Sequence, residues 1–265
     1  MKTVVFLDLD GTFWNWGAVP PSAVEAIARA QANGHKVLTN TGRTCGETRD
    51  LSPYRLDGRC YGAGSEVILD GRHVVDEPLG AQTAHYLEFY LQGLGIAYLA
   101  EGSERCYKAI YKPEEVRLME EELAFAWANG DPFLVCPDVS EMSEADYEQV
   151  YKFSVFSQED TTPDTVPGLP EGFVFTPLGK GGEITRVGIT KATALEAVRT
   201  ALGGAQEWRT MALGDSNNDV PMLRAADVGV CMGNGNDAAR AAADWVTSAI
   251  DEDGLAHAFE HFGLI

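Results

Sequence analysis

Short apolar runs alternate with amphipathic segments at both ends of the chain. Residues 3–9 form an apolar run that ends in acidic residues, which predicts a buried strand. A helix is predicted from a capping box, Ser22 to Glu25, as far as Gly34, because apolar residues recur there at helical spacing. Residues 36–39 predict a second strand. A strand, a helix and a strand in succession form a βαβ unit, so this pattern predicts a parallel sheet.

The same alternation returns near the end of the chain, whereas the middle follows a different pattern. From residue 190 onward, the pattern predicts helices at 191–202, 219–225, 237–243 and 251–262 and strands at 210–213, 228–231 and 245–247. In the middle, Asp70-Gly71 predicts a hairpin turn between strands at 60–69 and 73–75. Further along, the pattern predicts helices at 81–93 and 113–128 and strands at 96–100, 106–111, 151–156 and 173–176.

These patterns predict an α/β protein with a doubly wound, Rossmann-like parallel-sheet core and an inserted α+β domain. The core is expected at 1–79 and 187–265, and the insertion at 80–186.

Composition and charge narrow the possible functions. The chain has 265 residues, 45% of them hydrophobic, which excludes wholesale disorder. Its formal net charge is −20, which argues against binding to nucleic acid or to an anionic membrane surface. Local cations and a metal can still hold a small phosphorylated ligand.

Cellular location is predicted from three features. Five Cys residues, an odd number without a CxxC pair, are expected to be free thiols in a reducing cytoplasm. No run of about 18 apolar residues predicts a transmembrane helix. Two carboxylates by residue 10 interrupt any apolar signal-peptide region, so the protein is expected to be cytoplasmic; no pattern indicates its oligomeric state.

Two acidic clusters follow predicted strands. Asp8 and Asp10 come at the carboxyl end of the first strand, where their side chains project to the same side. Asp215 and Asp219 follow the strand at 210–213. Carboxylates that converge at one sheet edge suit a hard cation, and Mg²⁺ is the cation predicted here. An EF-hand loop starting at Asp215 is excluded because its sixth and twelfth positions are Val and Ala.

Phosphate-binding chemistry lies between these clusters in the sequence. Thr41-Gly42 ends the second strand and Lys191 begins a helix. A hydroxyl, a glycine amide and an ammonium together suit a phosphate group.

In this order and context, the set resembles the haloacid dehalogenase (HAD) superfamily of phosphohydrolases. The stretch DLDGT resembles its first motif, Thr41 its second, Lys191 its third and GDSNND its fourth. Thr41-Gly42-Arg43, the insertion after residue 79, VGITKATAL and ADWVTSAIDEDGLAHAF resemble the Cof-type subgroup, in which the insertion is a large α/β cap over the active site. Ala63 stands where that subgroup commonly has Asn.

The resemblance implies a role for each of these residues. Asp8 is expected to be the nucleophile that forms an aspartyl-phosphate, and Asp10 the general acid and base. Mg²⁺ is expected to bind the Asp8 carboxylate, the Asp10 carbonyl and the Asp215 carboxylate. Asp219 is expected to orient Lys191 or a metal-bound water. The phosphate is expected to be held by the Leu9 amide, Thr41, the Gly42 amide, Lys191 and Asn218.

The predicted function is therefore a Mg²⁺-dependent phosphatase of small phosphorylated metabolites, with a sugar phosphate as the predicted substrate and specificity set by the cap. Three alternatives stay open: a phosphatase of pyridoxal phosphate or a nucleotide, a phosphomutase, and a non-catalytic phosphometabolite-binding module.

Two further features have competing interpretations. Trp14 and Trp16 adjoin the first motif and either stack on a substrate or pack the loop. His257, Glu260 and His261 match the HxxEH pattern of some zinc peptidases, but a helical surface pair is expected there.

Overall fold

The computed structural model describes residues 1–15, 18–48, 50–112, 115 and 136–265. The helix predicted at 113–128 lies, apart from Glu115, outside these residues. The chain divides into two compact units. The first consists of Met1–Gly42, Asp50–Asp76 and Thr190–Ile265, and the second of Arg43–Arg49 and Glu77–Ile189.

The described elements are numbered here in chain order. The strands are β1 Lys2–Leu7, β2 Lys36–Asn40, β3 Gly58–Tyr61, β4 Glu66–Leu69, β5 Arg72–Asp76, β6 Ala97–Gly102, β7 Cys106–Ala109, β8 Val150–Phe156, β9 Phe173–Leu178, β10 Gly181–Arg186, β11 Trp208–Gly214, β12 Val228–Cys231 and β13 Trp245–Val246. The helices are α1 Pro21–Ala32, α2 Ala81–Leu94, α3 Glu144–Glu148, α4 Lys191–Ala201, α5 Val220–Ala225, α6 Asp237–Ala242 and α7 Gly254–His261.

The first unit is built on an eight-stranded sheet with the order β13-β12-β11-β1-β2-β3-β4-β5. The strands from β13 to β3 are parallel, and β4 and β5 extend the sheet in antiparallel fashion. Successive residues of β1 point to opposite faces: Val5 and Leu7 join one hydrophobic cluster, and Val4 and Phe6 join another. Both faces are therefore covered, as a parallel sheet requires, and the predicted α/β fold class is confirmed.

Two local predictions in the first unit are wrong. Ser22 does not cap α1, which begins at Pro21 without a side-chain cap; the Ser22 hydroxyl donates instead to Asp253 Oδ1 over 2.5 Å. Residues 60–69 do not form one strand, because the chain turns at Gly62–Gly64 and pairs β3 with β4. Gly64 has a φ of +116°, and a Cβ there would lie 2.9 Å from the Thr190 carbonyl oxygen, so this turn needs glycine.

The hairpin predicted at Asp70-Gly71 is confirmed. These two residues have φ values of 49° and 75° and connect β4 to the antiparallel strand β5. Positive φ at both central positions matches the right-handed twist of the flanking strands, which is why Asp-Gly is a strong hairpin signal.

The second unit contains an antiparallel sheet with the order β7-β6-β8-β10-β9. Residues of α2 and α3 share one hydrophobic cluster with this sheet, including Leu87, Tyr147 and Phe153. Strand β10 is absent from the predicted elements because its first two residues are glycines, which favour turns. The structure explains Gly182: a Cβ there would lie 2.3 Å from the ring of Phe175 on the neighbouring strand β9.

Two other expectations concern the described residues. All five cysteines are free thiols, and four of them are buried. None of the described helices is both long enough and apolar enough to cross a bilayer.

Candidate active site

The catalytic candidates gather where β1 and β11 end side by side. The amide of Asp8 continues the pairing of these strands by donating to the Leu213 carbonyl over 3.0 Å. Asp8 is 5% exposed, and its Oδ1 accepts a hydrogen bond of 2.5 Å from Lys191 Nζ. Lys191 is fully buried at the start of α4. The parallel topology therefore brings together an acid from residue 8 and an ammonium from residue 191.

Lys191 also joins Asp8 to the second acidic loop. Its Nζ lies 2.5 Å from Asp219 Oδ1 and 3.3 Å from Asn218 Oδ1. The other oxygen of Asp219, Oδ2, accepts from the amides of Asp215 and Ser216, each over 2.9 Å. Asp219 therefore fixes both the lysine and the backbone of the loop that carries Asp215.

The first acidic loop is closed by Gly11 and Thr12. Gly11 has a φ of +82°, and a Cβ there would lie 2.6 Å from Asp215 Oδ2, so a side chain is excluded by conformation and by space. The buried Thr12 hydroxyl donates to Asp215 Oδ1 over 3.1 Å. Thr12 is absent from the predicted site residues, although a hydroxyl two positions after Asp10 was a signal that could have found it.

Negative charge exceeds positive charge at this site. Burial, and next the neighbouring Asp219 carboxylate, raise the pKa of Asp8 well above its ordinary value. Burial, followed by Asp219, also raises the pKa of Asp215, to about 6. Burial alone would lower the pKa of Lys191, but Asp219 and Asp8 raise it above its usual range, so the lysine stays charged. The single ammonium of Lys191 does not neutralise the carboxylates of Asp8, Asp215 and Asp219.

The acidic cluster has the donor set of a divalent metal site. One carboxylate oxygen from each of Asp8, Asp215 and Asp219 can be chosen so that all three lie within 4.8 Å of one another. Oxygen donors at this spacing suit a hard divalent cation. A cation would also relieve the repulsion that raises the pKa values of Asp8 and Asp215, so the residues fit such a group.

Two of the predicted phosphate-binding residues, Thr41 and Gly42, lie at the neighbouring strand end. The register pairs Leu7 of β1 with Thr39 of β2, and the buried Thr41 and Gly42 follow directly after β2. The Thr41 amide donates to the Cys60 carbonyl over 3.0 Å, which extends the pairing of β2 with β3. Leu9 is buried, and its carbonyl accepts hydrogen bonds from the next turn of the loop.

Trp14 packs the first loop. The residue is 1% exposed within a hydrophobic cluster of the first unit, and its Nε1 donates to Asp10 Oδ1 over 3.0 Å. Of the two interpretations given for Trp14, packing of the loop therefore agrees with the structure. The indole also orients the Asp10 carboxyl. Trp16 lies outside the described residues.

The HxxEH residues form no metal cluster in the described part of the chain. His257 Nδ1 is 2.6 Å from the Ser248 hydroxyl, and the His261 ring stacks on Trp245 with centroids 4.2 Å apart. Both histidines thus make surface contacts of α7.

Comparison with known proteins identifies the family. The model of the haloacid dehalogenase-like hydrolases matches residues 5–259. The chain belongs to the haloacid dehalogenase-like hydrolases. The phosphatase YwpJ of Bacillus subtilis is 29% identical over 287 residues, which cover 97% of this chain and 99% of that protein.

Two further similarities differ in extent. The 5-amino-6-(5-phospho-D-ribitylamino)uracil phosphatase YcsE of Bacillus subtilis is 44% identical over 82 residues, 31% of this chain and 32% of that protein. The structure of BT1666, a phosphatase of the HAD superfamily from Bacteroides thetaiotaomicron, superimposes with a TM-score of 0.85 at 26% identity. That superposition covers all of this chain and 96% of that one. The prediction of a Cof-type phosphatase of the HAD superfamily is thereby confirmed.

Proposed function

We propose that this phosphatase uses Mg²⁺ and removes the phosphate from a small polyhydroxylated metabolite, a sugar phosphate or a closely related polyol phosphate. The observation that carries the proposal is the buried contact of Lys191 with Asp8 and Asp219, next to Asp215. A positioned carboxylate nucleophile, a fixed cation and further carboxylates that can hold a metal are the groups that phosphoryl transfer through an aspartyl-phosphate needs.

Asp8 is proposed to start the reaction as the nucleophile. Its Oδ1 is engaged by Lys191, so Oδ2 is the oxygen that attacks phosphorus. The new bond joins Asp8 to phosphorus and the bond from phosphorus to the leaving oxygen breaks, which gives an aspartyl-phosphate. When bound by Asp8, Asp215 and the Asp10 carbonyl, Mg²⁺ supplies positive charge that orients the phosphate and neutralises its oxygens.

Asp10 is proposed to move the protons. Its carboxyl gives a proton to the leaving oxygen and then takes one from the water that hydrolyses the aspartyl-phosphate. The indole N–H of Trp14 donates to Asp10 Oδ1 and so orients this carboxyl. After both steps, Asp8 and Asp10 are again in the states in which they began the reaction.

Lys191, Asn218, Thr41 and the amides of Leu9 and Gly42 are proposed to hold the phosphate oxygens. Lys191 Nζ donates to Asp8, Asn218 and Asp219, which engages all three of its N–H groups, so a phosphate oxygen would replace one of these acceptors. Asp219, with both oxygens engaged by the chain itself, is proposed to orient Lys191.

The insertion at 80–186 is proposed to be the cap that selects the substrate. The relative YcsE acts, by its name, on a compound whose phosphate is carried on a ribityl group, a polyol chain. That chemistry supports a polyhydroxylated phosphate ester over pyridoxal phosphate or a nucleotide. To bind a polyol, the cap would need to supply hydrogen-bonding groups along the length of the substrate.

A screen of phosphorylated metabolites with Mg²⁺ tests this function. Sugar and polyol phosphates should give the highest kcat/KM, and chelation should abolish turnover. Asp8→Asn should lower kcat by at least about a thousandfold, because the nucleophile is removed while its shape is kept. The exposed Asp251 offers a matched control, and Asp251→Asn should keep full activity. Substantial turnover by Asp8→Asn would contradict the covalent mechanism, and a preference for nucleotides would contradict the substrate class.

A further inference from the structure

A second buried charge cluster lies in the unit that contains β6, β8 and β10. Its centre is Lys152 on β8, which is 3% exposed. The Lys152 ammonium lies 3.0 Å from Glu101 Oε2 on β6 and 3.6 Å from Glu47 Oε2, and it donates to Glu183 on β10. The Ser154 hydroxyl donates to the other oxygen of Glu101. Three carboxylates therefore surround one ammonium, and the proposed reaction uses none of them.

The members of this cluster differ in charge. Burial, and next the Glu47 carboxylate, raise the pKa of Glu101 well above its ordinary value. Burial opposes the ionisation of Glu47 as well, but the Lys152 charge holds the pKa of Glu47 below its ordinary value. Burial would lower the pKa of Lys152, yet Glu101 and Glu183 raise it. Glu47 is therefore an ionised partner of Lys152, whereas burial and the Glu47 carboxylate disfavour the ionisation of Glu101.

Glu47 belongs to a segment with an unusual place in the chain. Arg43–Arg49 follows directly on Thr41 and Gly42 of the first unit, yet it packs as part of the second unit. Its conformation is set by Glu47: Oε2 accepts from the Thr44 amide over 3.0 Å, and the Glu47 carbonyl accepts from the Arg43 guanidinium over 3.3 Å. The side chain of Glu47 thus links the turn to Lys152.

Close backbone packing restricts the same turn. A Cβ on Gly46 would lie 2.6 Å from the Arg105 amide nitrogen and 2.7 Å from the Gly102 carbonyl oxygen. The turn can therefore approach the loop between β6 and β7 only with glycine at this position. The segment is fixed at two adjacent residues, by shape at Gly46 and by charge at Glu47.

A contribution to stability alone does not explain such a cluster. Removing charges from water costs free energy that a buried ion pair often does not recover, and apolar residues of similar size frequently stabilise a core as well or better. Charged groups fix a position, because a displaced partner leaves a charge buried without compensation. The cluster therefore suits a part of the chain whose position matters.

We propose that Lys152 and Glu47 are positioning residues for phosphate binding: their ion pair fixes Arg43–Arg49, and through the peptide link at Gly42 it fixes Thr41 and Gly42. This inference rests on the phosphate-binding role proposed above for Thr41 and Gly42. Neither Lys152 nor Glu47 needs to touch the substrate. A small displacement of groups that hold a reacting phosphate is costly, since misplacement by about 1 Å can lower a rate by roughly a hundredfold.

Two measurements on the full-length protein test the proposal, and the first needs no turnover. Amide hydrogen exchange is followed in the peptide that contains residues 43–49. Glu47→Gln and Lys152→Met should speed exchange there at least about tenfold, because a charged hydrogen-bonding network is lost. The matched control is Glu144→Gln, which removes the negative charge from the exposed contact between Glu144 and His85 in the same unit and should leave the peptide protected.

The second measurement is competitive inhibition by inorganic phosphate of aryl phosphate hydrolysis. Both cluster variants should raise the inhibition constant and lower kcat/KM by about tenfold. Glu144→Gln should leave both unchanged. A structural role alone would lower the unfolding temperature of the cluster variants without changing these constants below that temperature.

The outcomes separate this proposal from the proposed function. Unchanged exchange in folded Glu47→Gln overturns the positioning role, and so does faster exchange without a change in phosphate inhibition. If Lys152→Met does not fold by circular dichroism, Glu47→Gln decides, since it removes one carboxylate and keeps the cation. A wild-type protein that neither hydrolyses phosphate esters nor binds phosphate contradicts the proposed function. The phosphate-binding part of the inference then falls with it, while the exchange data still decide whether Lys152 fixes the segment.

Discussion

Residues at the acidic site differ in how many of their carboxylate oxygens already accept hydrogen bonds from the protein. Asp219 has one oxygen on Lys191 and the other on the amides of Asp215 and Ser216. A cation bound to Asp219 would have to displace one of these partners. We therefore expect Asp8 and Asp215 to meet the cation and Asp219 to hold the frame around them, even though all three lie within metal-binding distance of one another.

Thr12 offers a test of how Asp215 is oriented. Thr12→Val keeps the shape of the side chain but removes the hydrogen bond to Asp215 Oδ1. Groups that orient a metal ligand typically change metal affinity when they are lost, so the Mg²⁺ concentration for half-maximal activity should rise about tenfold. The matched control is Thr210→Val, which removes the hydrogen bond from the hydroxyl of Thr210, on β11, to Asp227 Oδ2. Equal Mg²⁺ requirements in the two variants would show that Thr12 does not orient Asp215.

At the level of elements, the sequence pattern predicts what depends on local periodicity and turn chemistry. Strand β1 and the Asp70-Gly71 hairpin follow from an apolar run and from a two-residue turn. Strand β10 is missed because Gly181 and Gly182 carry no apolar signal; their place in the sheet depends on the ring of Phe175. Position in the sheet, set by long-range contacts, overrides local propensity there.

The candidate site, too, has features that the sequence predicts and features that it does not. Asp8 and Asp215 follow two strands of one parallel sheet, so their meeting at its edge is predictable once a parallel sheet is inferred. The ion-pair partners of Lys191 are only partly predictable, because several acids lie close to the buried lysine and the sequence does not show which of them it contacts. The pair of Glu47 with Lys152 has no signal in the sequence, since its residues lie far apart and each alone resembles a surface charge.

The end of α2 tests whether glycine acts there through backbone conformation alone. Gly95 ends the helix with a φ of +65°, whereas Gly93 lies within the helix, and a Cβ on either would meet no atom within 4 Å. Gly95→Ala should lower the free energy of unfolding by about 1 kcal/mol, since only glycine adopts the left-handed conformation freely. Gly93→Ala, which adds the same atoms two residues earlier, should raise it by about 0.5 kcal/mol. Urea unfolding measures both, and changes of the same sign would contradict this interpretation.

At the level of the whole molecule, charge and metal binding act together on stability. The formal net charge of −20 favours any condition that screens or neutralises carboxylates, and monovalent salt should raise the unfolding temperature by screening alone. A cation at the acidic site should add a separate increment, because binding only to the folded state stabilises it by mass action. Salt and metal effects can therefore be separated at constant ionic strength.

Thermal unfolding at constant ionic strength isolates the effect of the metal and needs no substrate. At matched ionic strength, Mg²⁺ at about a hundred times its dissociation constant should stabilise the wild-type protein by about 2.7 kcal/mol. For a domain as large as the first unit, this gain in stability corresponds to a rise in unfolding temperature of about 5 °C or more. Asp215→Asn should lose this increment because a ligand is gone, yet without Mg²⁺ it should unfold at a higher temperature than the wild type, since one of the repelling carboxylates is neutral. Asp251→Asn, at an exposed position, should respond to Mg²⁺ as the wild type does. An equal Mg²⁺ response in wild type and Asp215→Asn would mean that the ion acts on the general charge of the molecule and not at the acidic site.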